Sequence, residues 1–187
     1  MPHVGAPLKR LDDLRLLTGR GRYVDDITLP RMVHVAFVRS PHAHATIARV
    51  DVGAAAKSPG VVGVLTGADA ARLCKPYRGI LQHYRGMKTG AMLPLAVERV
   101  RCVGEPVVAI AAETAAAAQD AAGLINISYG PLPAVLDPDA TRAPLIHPEL
   151  GDNLIYETRL SGGEPDAAFA TGARVWRRRS ASPIAGS

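Results

Sequence analysis

Residues 100–137 read VRCVGEPVVAIAAETAAAAQDAAGLINISYGPLPAVLD. VVAIAAE is a short apolar run, rich in valine, with no polar side chain before Glu113. Such a run bounded by turn residues predicts a strand buried on both faces. VRCV before it predicts another strand, and Gly104-Glu105-Pro106 predicts the turn between them. Thr114 stands where a helix N-cap belongs, its hydroxyl free to accept from the first unpaired amides of AAAAQDAAGLI. INISYG then reads as a returning strand. Strand, helix and strand in this order imply a crossover, hence an α/β architecture.

Upstream, MVHVAFV (residues 32–38) and TIARVDV (residues 46–52) are β-branched and partly alternating, so both predict strands. Ser40-Pro41 marks the turn between them, because proline fixes φ and removes a ladder donor. The segment RSPHAH holds His42 and His44 one residue apart. Extended backbone would place both rings on one face, which is half of a zinc site. The remaining candidate ligands are His3, His34, His83, His147, Cys74 and Cys102, and none completes a CxxC, HxxxH or HExxH spacing. A catalytic histidine needs a nucleophile and an orienting acid, and no such set can be read here. The expectation is structural histidines, with no metal ligand and no catalytic residue.

Residues 1–31 predict an extended arm with a short helical turn around Asp12 to Leu17, stopped by Gly19 in the C′ position. VGAAAKSPG predicts a short helix and VVGVLTG a strand. ADAARLC predicts a helical turn with Asp69 near its positive end. Residues 75–93 carry three glycines and no clear period, which predicts a loop of the kind that is functional or mobile. That loop and the turn residues Gly104 and Glu105 are the candidate site positions, with turn chemistry the favoured role for Glu105. From Asp137, DPDATRAPLIHPELGDNL predicts an irregular linker, and EPDAAFATGARVWRRR a helix entering a strand.

Composition excludes several classes. The chain has 187 residues, enough for one domain with a real core; only 4% are aromatic, so that core must be built from small aliphatic side chains. No apolar run approaches the ~20 residues of a membrane helix. The charged N-terminal stretch lacks the apolar centre of an export signal. Two cysteines fit no disulfide framework, which favours a reducing, cytoplasmic setting. The net charge of +5 and the pieces GRGRY and WRRRS invite nucleic acid, but acids interrupt the arginines and no stacking aromatics accompany them. Neither nucleic acid nor membrane is an expected partner.

LLTGRGRYVDDI, VAFVRSPHAHATIARVD, PGVVGVLTGAD, VRCVGEPVVAIAAET and YGPLPAVLDPDA together resemble the N-terminal a/b hammerhead domain of the xanthine dehydrogenase and aldehyde oxidase family. The flavour is that of the large, molybdenum-binding subunit of bacterial carbon monoxide dehydrogenase-like hydroxylases. HPELGDNL and DAAFATGARV are similar to the family's link into its molybdopterin-binding domains. The chain departs from the family at Asn126, Ser128 and Gly130, where acidic residues are usual, and at Gly123, which interrupts the helix.

The resemblance implies an arm over residues 1–31, a hammerhead domain over 32–137, and a linker with a truncated start of a molybdopterin-binding domain over 138–187. It implies the N-terminal portion of a molybdenum hydroxylase large subunit, catalytically incomplete alone. Its expected partners are the remaining molybdopterin domains and the flavin and iron–sulfur subunits. No molybdenum cofactor, flavin or cluster is expected in this chain itself. A free-standing assembly module without catalysis is the competing expectation. Beyond Asp137, Phe169, Val175 and Trp176 would find their packing partners in the family's further sequence. Residues from about Leu150 are therefore expected to be mobile, loosely docked or held by another chain, with protease cutting first between Pro138 and Arg179.

Overall fold

The computed structural model describes residues 5–79, 84–137, 143–160, 162–172 and 174–176. Its organising strand is the valine-rich run. Six strands are β1 (His34–Arg39), β2 (Ala45–Asp51), β3 (Val61–Thr66), β4 (Arg99–Val100), β5 (Pro106–Ala112) and β6 (Asn126–Pro131). Four helices are α1 (Asp13–Leu17), α2 (Gly67–Leu73), α3 (Ala115–Ala122) and α4 (Pro165–Thr171). One sheet has the order β1-β5-β3 and the other β4-β2-β6, and every ladder is antiparallel.

The mixed α/β class is as the sequence reads, but the crossover takes another form. Helix α3 carries the chain from β5 in one sheet to β6 in the other, instead of returning it parallel to its own neighbour. The sequence pattern cannot separate the two, because a strand-helix-strand unit with short joints serves either. Antiparallel strands can be joined by short hairpins, yet among the described residues every pair of consecutive strands lies in different sheets, so each connection crosses from one sheet to the other.

Val107, Val108, Ile110 and Ala112 of β5 are fully buried. They meet Val38, Val61 and Val64 of the flanking strands, Ala121 of α3, and Ala45, Ile47, Val100, Ile127 and Tyr129 of the second sheet. Among the described residues the largest fully buried side chains are Ile110, Val100, Val107 and Val108, so the core is small-aliphatic, as 4% aromatics requires. Helix α3 can press close because its buried residues, Ala118 and Ala121, are methyl-sized. The Thr114 hydroxyl accepts from the Ala117 amide at 3.1 Å, and Gly123 is the C-cap that ends the helix, not a break within it.

Helix α2 starts with a reciprocal cap. The Thr66 hydroxyl accepts from the Asp69 amide at 3.3 Å, and the Asp69 carboxylate accepts from the Thr66 amide at 2.9 Å. The Thr66 side chain and then its backbone amide hold the Asp69 carboxyl below the usual carboxylate range. At Gly67 a Cβ would lie 2.0 Å from the Ala96 carbonyl oxygen, so no other residue lets the helix sit there.

In the described part of the arm, α1 ends at Leu17 with Thr18 as its C-cap, and Gly19 follows with φ +69. VRCV shrinks to β4, with Arg101 to Gly104 given to the turn. Residues 174–176 form no strand, and the rest of that expected element lies outside the described residues, as do 138–142 of the linker. Every described residue from 157 onward is exposed, including Phe169 at 64% and Trp176 at 82%.

Ile110→Ala should remove side-chain volume at the centre of β5 and cost about 2–5 kcal/mol, while Thr114→Ala should cost about 1 kcal/mol. Urea unfolding checks both, and an Ile110→Ala midpoint equal to wild type would contradict this packing.

Candidate functional site

The backbone of Cys102 to Glu105 must reverse direction between β4 and β5, and Gly104 does so with φ +83. That conformation is open to glycine at little cost. The turn is then tied to the end of β1. The Gly104 amide donates to the Ser40 carbonyl at 2.8 Å, and the Ser40 amide to the Glu105 carbonyl at 2.9 Å. Arg39 donates to the Gly104 carbonyl at 2.9 Å. The Glu105 carboxylate accepts from the Arg101 amide, four residues back. Glu105 is thus occupied with turn chemistry.

This turn forms one wall of an open cleft of about 870 Å³. The edges of the 75–93 loop, at Tyr77 and Met92, supply a second wall, and His147 and Glu149 a third. Tyr77 and Met92 pair across the loop through two 2.9 Å backbone hydrogen bonds. Residues 80–83, and so His83, lie outside the described residues, as does His3. The structure therefore gathers the candidate turn and the candidate loop at one place.

The third wall is a strap that sequence reasoning treated as irregular linker. The Arg101 guanidinium donates from Nε to the Ile146 carbonyl at 3.2 Å. Asn153 closes the segment on itself, its Oδ1 accepting from the Ile146 amide and its Nδ2 donating to the Pro144 carbonyl, both at 2.9 Å. The Lys88 amide donates to the Ile155 carbonyl at 2.9 Å, its ammonium meets Asp152 at 2.5 Å, and the Tyr84 and Tyr156 rings lie 5.2 Å apart. Residues 150–156 are therefore docked on the 84–92 loop, where the sequence led to the expectation of a loose segment from Leu150 onward. Only its local turn was legible: Pro148 at a helical first position and Gly151 just past the end bracket a short 3-10 turn.

Electrostatics in the cleft favour holding over reacting. Hydrogen bonding from His147, at 2.8 Å, keeps the Glu149 carboxyl below its ordinary range. Desolvation, and then the nearby Glu105 carboxylate, pushes the Cys102 thiol up, so it stays protonated and a poor nucleophile at neutral pH.

The paired histidines go elsewhere. His42 and His44 stand in the turn before β2, not in an extended segment, so they do not share a face. His44 is buried, with Nδ1 2.8 Å from the Pro133 carbonyl, and its own carbonyl accepts from the Leu132 amide at 2.9 Å. It pins the segment leaving β6. His42 sets its ring edge-on to Tyr129 at 4.9 Å, while the Ser40 hydroxyl bridges its backbone. His34 lies on β1, and Cys74 and Cys102 are free and exposed. Among the described residues no three His, Cys, Asp or Glu side chains gather as metal ligands, and no helix is long and apolar enough to cross a membrane.

Comparison with known proteins places the geometry. The family model described as aldehyde oxidase and xanthine dehydrogenase, a/b hammerhead domain, matches residues 18–133. The nicotine 6-hydroxylase large subunit of Paenarthrobacter nicotinovorans is 42% identical over 176 residues, covering 92% of this chain and 21% of that subunit. The carbon monoxide dehydrogenase large chain of Afipia carboxidovorans is 37% identical over 155 residues, covering 81% of this chain and 18% of that one. The crystal structure of quinoline 2-oxidoreductase from Pseudomonas putida 86 superposes with a TM-score of 0.79 at 40% identity, over 89% of this chain and 21% of that one. The chain spans about a fifth of the length of the curated relatives it matches.

Glu149 and Asp152 both have carboxyls held down by their partners, His147 and Lys88. A depressed folded-state pKa gives stabilisation that is full above the unfolded value and lost as pH falls through the folded one. Amide exchange, corrected for its intrinsic rate, should therefore accelerate in residues 146–156 below the usual carboxylate range, before β5 responds. Glu149→Gln with Asp152→Asn should abolish that pH dependence; a strap indifferent to acid in the wild type would contradict the assignment.

Proposed function

This chain belongs to the aldehyde oxidase and xanthine dehydrogenase family, as its a/b hammerhead domain, and we propose on that premise that it serves a molybdenum hydroxylase as a structural domain of the large subunit. The observation that carries the reading is the match of residues 18–133 to the hammerhead domain, joined to a cleft in which Glu105 and Arg101 are engaged in backbone contacts. In this reading the domain supplies a folded platform and the strap that sets where the chain leaves it. It contributes no redox group: the molybdenum cofactor would be held by other domains and the flavin and iron–sulfur groups by partner subunits. Relatives named as a large subunit and as a complex subunit gamma support such partners. Two unpaired cysteines support a cytoplasmic setting. The substrate would be a carbon centre hydroxylated with oxygen from water, chosen by residues outside this chain.

The chain purified alone should oxidise no aldehyde or N-heterocycle. Affinity-tagged in its source cell, it should co-purify, joined or associated, with polypeptide carrying molybdenum, flavin and iron in fixed stoichiometry. Recovery of the tagged chain alone, with none of the three above background, would overturn the reading.

A further inference from the structure

The sheet β1-β5-β3 has two faces, and only one is covered. Helix α3 and the second sheet lie on the face of Ala36, Val38, Val64, Val108 and Ile110. The register sets Val35, Ala111 and Gly63 side by side on the other face, and Phe37, Ala109 and Leu65 beside them. An antiparallel sheet with a solvated face normally alternates apolar inward and polar outward. Here the outward rows carry no polar side chain. Val35 is 53% exposed, Phe37 46% and Leu65 45%, while Ala109 and Ala111 are half-buried only by their neighbours. Val62, at the β3 bulge, adds a fourth exposed apolar side chain at 62%. The small residues run down the centre, on β5, and the large ones stand on the flanking strands, so the face is a shallow trough. Arg39, its guanidinium 5.4 Å from the Phe37 ring centre, closes one end.

We propose that this face is a docking surface, and that its occupant is an apolar layer from the remaining polypeptide of the same large subunit. The occupant is argued from length and chemistry. Relatives sharing 37–42% identity with this chain, and the solved neighbour at TM-score 0.79, are each about five times as long, so further polypeptide able to supply a covering layer accompanies this fold in those chains. A contiguous apolar face of this kind marks an interaction site, and one whose two central rows carry no charge suits a permanent contact better than a transient one. The second surface, the arm with Leu11, Leu14 and Leu17 exposed, offers a row of side chains but no packed platform beneath them. The proposal rests on the large-subunit reading above and adds which face meets the rest of the subunit.

Thiol protection tests it. In a Cys74→Ser/Cys102→Ser background, Phe37→Cys and Leu65→Cys are reacted with a maleimide in the isolated 187-residue chain and in the assembly recovered from the source cell. In the isolated chain both should label at nearly the rate of the urea-unfolded chain. In the assembly both should slow at least about tenfold, since a covered thiol reacts only after local opening. Phe37→Lys should leave the melting of the isolated chain unchanged and abolish assembly. An assembly that forms with positions 37 and 65 still labelling freely, or that tolerates Phe37→Lys, overturns this surface and leaves the large-subunit reading standing. No assembly with the unsubstituted chain overturns that reading itself. An isolated chain that sediments as a dimer with both positions already protected identifies a second copy as occupant and also overturns the proposal.

Discussion

Everything in this domain hangs on the burial of β5. Ile110, Val107 and Val108 have no exposed surface, and the strand is hydrogen-bonded on both edges, to β1 and β3. Its inward side chains are what α3 packs against, and its two ends fix the other working parts. At the start, Pro106 and Glu105 anchor the turn that walls the cleft. At the end, Glu113 donates its amide to the Gly60 carbonyl at 2.8 Å, and Thr114 launches α3 toward the second sheet. A strand so placed cannot shift by one residue without turning its buried set outward.

That constraint explains why the cleft is built as it is. The turn at Gly104 is held rigid from β1 and from within, by backbone bonds through Ser40 and by the Glu105 carboxylate. A rigid turn lets Arg101 reach across and hold Ile146, so the strap is positioned by the core rather than by its own weak propensity. Glu105 and Arg101 thus have assigned partners in the backbone, and Glu149 in His147. These contacts hold the 143–156 segment against the folded domain, in a chain that spans about a fifth of the length of its curated relatives.

Much of this was legible in the residues. The Thr114 cap, the α1 stop at Gly19, the Asp69 position at the start of α2 and the turn at Gly104 each follow from local chemistry, and each appears where that chemistry puts it. What could not be read was pairing. The run VVAIAAE was expected to be buried on both faces, and the structure covers one fully and leaves Ala109 and Ala111 half-buried on the other, because periodicity reports apolar character and not what lies on it. The histidines misled for a related reason: the extended backbone that would align them ends at Ser40, where the chain turns. The strap was missed because its order comes from long-range bonds, such as Lys88 to Asp152 and Arg101 to Ile146, which leave no periodic trace.

Native-state amide hydrogen exchange on the 187-residue chain tests most directly whether β5 organises the domain. The account predicts that amides of Val107 to Ala112 exchange only through global unfolding, with an opening free energy equal to the stability from urea unfolding. Residues 162–172 should exchange near the rate of an unfolded peptide. Equal protection of β5 and of 162–172, or sub-global exchange of β5 while β2 and β6 stay protected, would contradict it.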